Sequence, residues 1–359
     1  MYENDTRTVL TLDAGGTNFV FSAIRSGREV VDPIRLDAVT DDAQRCLDVL
    51  VEGFRRVQEV LDEPAVAISF AFPGPADYES GIIGDLPNFP CFRGGVAMGP
   101  YLEEAFGLPV YINNDGNLFA YGEALCGILP EMNARLEAAG SSRRYRNLIG
   151  LTWGTGFGGG VVLDGELLRG DNGVGGDVWL MRNVFQPDQI AEESVSIRAV
   201  KRVYREVSGD NAELTPKDIF DIAEGTREGN ADAARESFRR LGVAAADALA
   251  HALDIADGLV VVGGGLSGAA KYAFPALVEA INPWLQMTVL DLTTEAGMKQ
   301  FLKDESVLIP VPGSARQVRY RKQKQTGITV SAIGTSKAVS LGAYAYALRQ
   351  LDLKSFYTL

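Results

Sequence analysis

Two similar stretches of this sequence each run from a β-favouring segment, through a glycine-rich turn, into further β-favouring residues. They are VLTLDAGGTNFVFSAIRSGREVV at 9–31 and NLIGLTWGTGFGGGVVLDGELL at 147–168. A repeat at this wide spacing predicts two related α/β halves, because solenoid repeats follow one another at about 20–45 residues. With 359 residues, the chain is also too long for a single compact core. We therefore expect two α/β domains.

Charge and hydrophobicity limit the partners that this chain is expected to bind and the compartment in which we expect it. A formal net charge of −13 argues against nucleic-acid binding, which depends on Lys and Arg side chains that neutralise phosphates. No apolar run approaches the ~20 residues that cross a bilayer, so no membrane partner is expected. The first residues, MYENDTRTVL, lack a basic-then-apolar signal segment, and we expect a cytoplasmic protein.

Cysteine and histidine usage restricts the chemistry further. Cys46, Cys91 and Cys126 are widely spaced and form no CxxC pair, so they indicate neither a disulfide framework nor a zinc cluster. The single histidine, His251, lies in ADALAHALDIAD, an Ala/Leu-rich segment typical of a structural helix. Histidine-rich metal sites are excluded, and Ser–His–Asp chemistry is excluded unless His251 itself serves.

The first glycine turn predicts an anion cradle. Glycines let the backbone approach a ligand closely and point N–H groups into a concavity. Gly15 and Gly16 supply such backbone, Thr17 adds a hydroxyl, and Asp13 at the strand end is placed to hold Mg²⁺ directly or through water. The residues after the turn are typical of a strand, so the turn is neither a Walker loop nor a Rossmann fingerprint. An ordinary tight turn remains the alternative.

Two further glycine clusters weaken that alternative. The second hairpin contains Gly154, Thr155 and Gly156, and TWGTGFGGG has more glycines than a structural hairpin requires. The third cluster follows the buried strand LVVV, where Gly264 and Gly265 suit a flat base or ribose lying against bare backbone. Three glycine-rich strand ends in one chain predict a nucleotide held between two lobes.

A candidate for the reacting group follows the strand VYIN. In YINNDGN, Asp115 lies at the carboxyl end of a strand and opens a helix, a position that faces a cleft. A carboxylate there can accept the proton of a substrate hydroxyl as general base, a role worth about 10²–10⁴-fold in rate. Alternatively, Asp115 only N-caps the helix, as aspartate often does. The local sequence leaves both alternatives open.

Six motifs resemble, in their order along the chain, those of the ROK family (repressor, open reading frame, kinase) of sugar kinases. They are LDAGGTN, FPGPAD, PNFP, FGLPVYINNDGNLFAYGEA, LTWGTGFGGGVVLDGELLRGDNGVGG and VVVGGGLS. The resemblance spans nearly the whole chain and implies an α/β, two-domain actin/hexokinase-like (ribonuclease H-like) ATPase fold with an interdomain cleft. We place the N-terminal domain at 1–120, completed by 340–359, and the C-terminal domain at 121–339. The resemblance also implies a glucokinase-like, ATP-dependent sugar kinase that uses Mg²⁺ and forms a homodimer.

The resemblance assigns roles to particular residues. Asp115 would be the catalytic base toward a hydroxyl of a hexose or hexose derivative, and Asp13 would hold Mg²⁺ directly or through water. The residues that would bind ATP are Asp13, Gly15, Gly16, Thr17, Gly154, Thr155, Gly156, Gly264 and Gly265. The residues that would contact the sugar are Asn88, Asn114, Asp115, Asp177 and Glu192, the last with its register uncertain by one position because Glu193 is adjacent.

The sequence departs from the family where a GExGH motif and a zinc-binding cysteine cluster would follow the second hairpin. That place reads GDVWL, so Asp177 replaces the glutamate and Leu180 replaces the histidine that contacts zinc and sugar. No cysteine follows Cys126, and we expect no structural zinc. Without that histidine, a sugar contact is lost. An unpaired buried polar group costs about 1–3 kcal/mol, so the loss would shift sugar specificity without necessarily abolishing the chemistry. Trp179 either stacks on a sugar face or fills the space that zinc would organise.

Two other functions remain open. Sugar-responsive repressors of the family carry an N-terminal helix-turn-helix, whereas the first strand is expected here near Thr8, and the acidic charge also disfavours DNA binding. A catalytically weak or inactive sugar-binding sensor would suit the changes at Asp177 and Leu180. The stretch SARQVRYRKQKQTG at 314–327 is strongly basic within an acidic chain. It is either an exposed loop or helix face, or a clamp for an anionic ligand that bears phosphate or carboxylate.

Overall fold

The computed structural model describes residues 2, 4–15, 17–74, 76–84, 90–281, 285–303 and 305–357. The chain divides into two compact α/β units. One unit comprises Met1–Gly127, Gly160–Gly176 and Ala332–Leu359, and the other comprises Ile128–Gly159 and Asp177–Ser331. The domain boundaries expected from the sequence, 1–120 with 340–359 and 121–339, stay a prediction. Within the described ranges, no helix combines the length and the apolar character that a bilayer crossing requires.

Groups of strands and groups of helices follow one another along the chain. The strands are β1 (Thr8–Ala14), β2 (Asn18–Arg25), β3 (Arg28–Glu29), β4 (Ile34–Asp37), β5 (Ala65–Ala71), β6 (Ala76–Asp77), β7 (Ile82–Ile83), β8 (Val110–Asn113), β9 (Leu148–Trp153), β10 (Phe157–Leu163), β11 (Glu166–Leu167), β12 (Leu259–Gly263), β13 (Leu285–Val289), β14 (Val307–Pro310), β15 (Gln317–Tyr320) and β16 (Lys324–Val330). The helices are α1 (Ala43–Val60), α2 (Met98–Phe106), α3 (Asp115–Cys126), α4 (Ile128–Ala138), α5 (Ile197–Ser208), α6 (Pro216–Glu224), α7 (Ala231–Ala256), α8 (Ala270–Ala280), α9 (Glu295–Leu302) and α10 (Thr335–Tyr357).

The first unit is built on a sheet with the strand order β3–β2–β1–β5–β8, in which β4 also pairs with β2. The strands β1 and β2 form an antiparallel hairpin, as two apolar runs around a glycine turn predict. The strands β1, β5 and β8 run parallel, so their carboxyl ends meet at one edge of the sheet. This edge carries the candidate residues of the first unit.

The core of the first unit lies between this sheet and α1. The amphipathic helix predicted at 41–61 is observed at Ala43–Val60, and the side chain of Asp42 caps it by accepting the Arg45 N–H. Its apolar face is buried, and Phe54 packs edge-on against Phe21 of β2 with the ring centroids 5.1 Å apart. This favourable aromatic geometry holds the second strand of the glycine hairpin against α1.

Helix α10 packs closely against α3 within the first unit through two glycines. A Cβ atom on Gly122 would collide with the carbonyl oxygen of Ala338, and one on Gly342 would collide with that of Leu118. The two backbones therefore approach more closely than larger side chains would allow. This contact positions α3, whose first residue is Asp115.

A second sheet has the strand order β11–β10–β9–β12–β16–β13. In the second unit, β12 runs parallel to both β9 and β16, and β13 runs parallel to β16. The sequence predicts one helical region at 215–256, whereas the structure divides it into α6 and α7. The division occurs because Gly225 adopts a left-handed conformation with φ +76°, which ends α6.

Candidate active site

The parallel strands of the first unit bring Asp13 and the turn between β8 and α3 to one edge of their sheet. Asp13 is in register with Ala71 of β5, and Ala71 is in register with Asn113 of β8. Asp13 is exposed to solvent near the end of β1. Since Asp115 follows Asn113 by two residues, the sheet places two carboxylates near the same edge.

Asparagine side chains hold the turn between β8 and α3. Asn113 is buried, and its Oδ1 accepts hydrogen bonds from the Asn114 backbone N–H at 2.9 Å and from Asn117 Nδ2 at 3.1 Å. Asn114 caps α3, because its Oδ1 accepts the Asn117 N–H at 2.6 Å. Asp115 is the first residue of the helix and does not cap it, so the capping alternative for Asp115 is wrong.

The electrostatics of Asp115 differ from those of a surface aspartate. Its side chain is open to solvent, and its Oδ1 accepts the Gly116 N–H at 2.9 Å. Burial by the surrounding protein nevertheless raises the pKa of the Asp115 carboxyl; the Gly116 hydrogen bond lowers this pKa, and the charge of Asp13 raises it. The carboxylate is thus accessible to solvent, and the protein around it still disfavours its charged form. It accepts a proton more readily than an ordinary aspartate does.

The first glycine turn uses part of its backbone to close itself. The Gly15 N–H donates to the Asn18 carbonyl at 3.0 Å, and a Cβ on Gly15 would lie 2.9 Å from that oxygen. Thr17 is exposed, and its Oγ1 accepts a hydrogen bond from Asn18 Nδ2 at 3.2 Å, which leaves the hydroxyl proton for a ligand. Two predicted site residues, Gly16 and Asn88, lie outside the described residues.

A cavity of about 470 Å³ opens in the first unit beside Asp13. Its lining includes Arg28, Arg35 and Lys337, together with Ser22, whose buried Oγ has no hydrogen-bond partner among the described residues. Guanidinium and ammonium groups are the usual protein partners of phosphate, but the carboxylates of Asp13 and Glu29 also line the cavity and offset two of the three positive charges. These cations were not predicted, because they come from β3, β4 and α10 and share no sequence motif.

In the second unit, two of the predicted glycine clusters are neighbours. The strands β9 and β12 run parallel with Thr152 opposite Gly263, so the turns that follow them lie side by side. Gly264 adopts φ +86°, and a Cβ on it would collide with the Trp153 carbonyl. A Cβ on Gly265 would meet no described atom within 4 Å. This backbone is therefore packed on one side and open on the other, which suits a flat ligand.

Glu192 braces the turn formed by Gly154, Thr155 and Gly156. The Gly154 N–H donates to the Gly156 carbonyl at 3.0 Å, which closes the turn. Glu192 Oε2 accepts the Phe157 N–H at 3.0 Å and lies against Gly156, where a Cβ would collide with it. Glycine at 156 thus leaves room for the close approach of a side chain from a distant segment.

Arg198, near the start of α5, completes this brace and was not predicted from the sequence. Its Nη2 donates to Glu192 Oε1 at 2.9 Å and to Glu193 Oε1 at 2.5 Å, and its Nη1 donates to the Thr155 carbonyl at 3.3 Å. The hydrogen bond with Glu193 raises the pKa of Arg198 and lowers that of Glu193. Glu192 is therefore the glutamate that contacts the turn, and Arg198 places a positive charge beside a predicted phosphate loop.

Asp177 precedes a short 3₁₀ turn, Val178–Leu180, in the second unit. Burial raises the pKa of its carboxyl, and a hydrogen bond from Trp179 lowers it. Trp179 is half-buried, and Leu180 is 47 % exposed. Trp179 thus contacts Asp177 and retains surface for a ligand. In the part of the chain that the structure describes, no three His, Cys, Asp or Glu side chains are grouped to hold a metal ion, and the expected lack of a structural zinc stays a prediction.

Comparisons with known proteins agree with the fold. The chain matches the model of the ROK family over residues 9–306. The crystal structure of a glucokinase from Parabacteroides distasonis ATCC 8503 is 58 % identical in sequence, with a TM-score of 0.89 over 97 % of this chain and 99 % of that one. A glucokinase from Thermotoga maritima is 26 % identical over 322 residues, 84 % of this chain and 95 % of the relative. A ROK family glucokinase from Streptomyces griseus, in complex with glucose and AMPPNP, is 20 % identical with a TM-score of 0.60 over 94 % and 98 % of the two chains. The predicted actin/hexokinase-like α/β fold is confirmed.

Proposed function

The chain belongs to the ROK family and is an ATP-dependent sugar kinase of the glucokinase-like kind, and we propose that Asp115 is its general base. The proposed acceptor is a hydroxyl of a hexose or hexose derivative. The Asp115 carboxylate carries the proposal. It is accessible to solvent, it does not cap α3, and its pKa lies above that of an ordinary aspartate. Such a group can take the hydroxyl proton while the phosphoryl group is transferred.

Mg²⁺ and ATP are the proposed cofactors, and the described residues fit them. Asp13 offers an exposed carboxylate, the hard oxygen ligand that Mg²⁺ prefers. When bound, Mg²⁺ neutralises charge on the phosphates. The turn residues Thr17 and Thr155 and the open backbone at Gly265 would bind phosphates and adenosine, and Arg198 would add a positive charge beside Thr155.

The proposed sugar contacts are Asn114, Asp115, Asp177 and Glu192, and Asn88 stays a candidate outside the described residues. Glu192 is already positioned by the Phe157 N–H and by Arg198, so little ordering is needed when a sugar binds. Leu180 presents an exposed apolar side chain beside Asp177. This difference from the family motif supports a sugar specificity that differs from that of relatives with histidine there.

A sugar panel tests the proposal. Purified protein, MgATP and coupled detection of ADP would be applied to aldohexoses, N-acyl amino sugars and anionic sugars, with calorimetry measuring sugar binding in parallel. We expect ADP formation that depends on one class of sugar and stops when Mg²⁺ is chelated. Sugar-independent ADP formation would contradict the proposed acceptor, because water would then be the nucleophile.

A sugar-binding sensor without turnover is the second candidate, and the brace on the second glycine turn favours it. The Gly154 and Phe157 N–H groups are both occupied by protein acceptors, although backbone N–H groups of this kind would be expected to bind phosphate. The same panel separates the two functions. Calorimetric binding of a sugar with no ADP formation on any sugar would establish the sensor and overturn the kinase.

A further inference from the structure

The second unit contains a long irregular segment, residues 177–196, which carries two of the proposed sugar contacts. Asp177 precedes the first of its two 3₁₀ turns, Val178–Leu180, and Glu192 lies in the second, Ala191–Glu193. All residues of this segment are described, and none of them belongs to an α-helix or to one of the strands β1–β16. Such a segment has no regular ladder of backbone hydrogen bonds, so other hydrogen bonds have to fix its path.

Asn183 is the buried centre of this segment. It is 1 % exposed, and its Nδ2 donates to the Ile190 carbonyl at 3.0 Å and to Ser194 Oγ at 2.9 Å. Ser194 Oγ donates in turn to Asn183 Oδ1 at 3.1 Å. Ile190 and Ser194 lie two residues before and two residues after Glu192. One amide therefore holds both ends of the turn that carries Glu192, and these contacts are here called the Asn183 network.

The oxygen of the same amide holds the loop that follows it. Asn183 Oδ1 accepts the backbone N–H groups of Phe185 at 3.0 Å and of Gln186 at 3.2 Å. The side chain of Asn183 thus bonds through its nitrogen and through its oxygen in a buried place. Removing it would leave buried polar groups without their partners, which is costly. The network therefore depends on an amide at position 183.

Backbone hydrogen bonds join the two turns beside Asn183. The Ala191 N–H donates to the carbonyl of Met181, the residue that ends the turn after Asp177, at 2.7 Å. The Asn183 N–H donates to the Gln189 carbonyl at 3.1 Å. Asn183 thus lies where the segment folds back on itself and brings the Asp177 turn to the Glu192 turn.

Glu192 extends from this segment to the second glycine turn. Its Oε2 accepts the Phe157 N–H at 3.0 Å, and its Oε1 accepts a hydrogen bond from Arg198 Nη2 at 2.9 Å. Its side chain is still 24 % exposed, so it remains accessible to a ligand. A misplacement of about 1 Å in a positioning group can cost about 10²-fold in rate. The main chain that carries Glu192 therefore has to be fixed, and the Asn183 network fixes it.

We infer that Asn183 is a positioning residue, which holds Glu192 against the second glycine turn through Ile190 and Ser194 and so supports sugar affinity. Asn183 is buried and does not itself contact the sugar. The inference rests on the proposed role of Glu192 as a sugar contact. It adds a residue that none of the six family motifs contains.

Hydrogen exchange of the Phe157 amide tests the positioning without turnover. Asn183→Ala removes the network, so the hydrogen bond from Phe157 to Glu192 should open more often and this amide should exchange at least ~10-fold faster. Asn133→Ala is the matched control in the same unit. Asn133 holds the backbone carbonyl and N–H of Tyr145, each at 2.8 Å, far from Glu192 in the sequence. The Phe157 amide should exchange at the native rate in that variant.

Ser194→Ala is a milder variant, because it removes one hydroxyl and leaves the amide of Asn183 in place. It should speed the exchange of the Phe157 amide in the same direction by a smaller factor. Ser237→Ala is its control, since Ser237 of α7 is also buried and donates to the Ala234 carbonyl at 2.7 Å. In the double variant with Asn183→Ala, the two effects should not add, because both changes remove the same hydrogen bond.

Sugar affinity is the second measurement. Asn183→Ala should raise the KM for glucose, or for N-acetyl-D-glucosamine if that sugar is the better substrate, at least ~5-fold. The change in kcat should be smaller. A variant that was only less stable would contain less active protein, so its kcat would fall while its KM for the sugar stayed unchanged. Asn133→Ala should retain the native KM for the same sugar.

The inference fails on either of two results. One is a variant, Asn183→Ala or Ser194→Ala, that is folded by circular dichroism and whose Phe157 amide exchanges at the native rate. This result would leave the kinase proposal untouched. The other is faster exchange with an unchanged KM for the sugar, which would remove Glu192 from the sugar contacts. Failure of the kinase proposal would look different, because the native chain would form no ADP with any sugar and the exchange measurement would still test the network.

Discussion

Asn114 Oδ1 lies 2.6 Å from the backbone nitrogen of Asn117, and this hydrogen bond fills the capping position of α3. The capping role and the candidate catalytic role are thus divided between two adjacent residues. Asp115 remains as a carboxylate at the positive end of a helix dipole, which helps to keep it ionised despite its desolvation. Variants at the two positions should therefore behave differently.

Asp115→Asn should lower kcat at least ~10²-fold, because an amide cannot accept the hydroxyl proton. Nucleotide affinity by calorimetry should be retained, and the melting temperature should be unchanged or higher, because a desolvated charge is removed. Asn114→Ala is the informative comparison, since losing the cap should cost ~1 kcal/mol of stability. Asp188→Asn, at an exposed position, is the control for the chemical change. Full turnover in Asp115→Asn would rule out the base assignment.

The raised pKa of Asp115 predicts the direction of the pH dependence. The base works only when deprotonated, so kcat/KM should fall as the pH decreases through the pKa of this carboxyl. Burial and the charge of Asp13 both raise that pKa, and the midpoint of the acidic limb should lie above the ~3.9 of an ordinary aspartate. The residual activity of Asp115→Asn should lack this limb. An identical limb in that variant would assign the titration to another group.

Gly264 and Gly265 are adjacent and should respond differently to alanine. Gly264→Ala would place a residue with a Cβ atom at φ +86° and that atom against the Trp153 carbonyl. The free energy of unfolding should therefore fall by about 1–3 kcal/mol. Gly265→Ala meets no described atom within 4 Å and should leave the free energy of unfolding nearly unchanged. If adenosine lies on this backbone, Gly265→Ala should still raise the KM for ATP. Gly268→Ala, also in open space, is the control, and an equal KM in both variants would place adenosine elsewhere.

Arg198 and Glu192 contact each other at the second glycine turn, yet we expect variants of Arg198 to affect ATP affinity and variants of Glu192 to affect sugar affinity. Arg198→Gln removes the positive charge beside the Thr155 carbonyl and should raise the KM for ATP ~10-fold, as expected for the loss of a charge-assisted hydrogen bond. Glu192→Ala should mainly raise the KM for the sugar. Arg205→Gln is the control on the same helix, where Arg205 faces Glu213 at 3.5 Å. An unchanged KM for ATP in Arg198→Gln would show that the brace has only a structural role.

Patterns that act over short distances predicted much of the fold. The hairpin β1–β2, the amphipathic α1 and the strand that precedes Asp115 all follow from periodicity and turn residues within about ten positions. The helical region at 215–256 was predicted less well, because composition alone did not reveal that Gly225 would adopt a left-handed conformation. The hairpin of β14 and β15 was not predicted, since the basic residues at 314–327 suggested an exposed loop or helix face, or an anion clamp. The expectation of a loop or helix is wrong for Gln317–Tyr320, which forms an exposed strand.

The sequence by itself determined that glycine-rich turns follow apolar strands, that a carboxylate opens a helix after VYIN, and that these motifs belong together in one family. Only the structure decided that Asn114 and not Asp115 caps α3, and that Glu192 and Arg198 brace the second glycine turn. The physical reason is the range of the forces involved. Strand and helix patterns arise from neighbouring residues, and so does the cap, but Asn114 and Asp115 both favour a capping position and only the backbone path selects Asn114. The contact of Glu192 and Arg198 with the second glycine turn joins distant segments, which packing across the whole unit brings together.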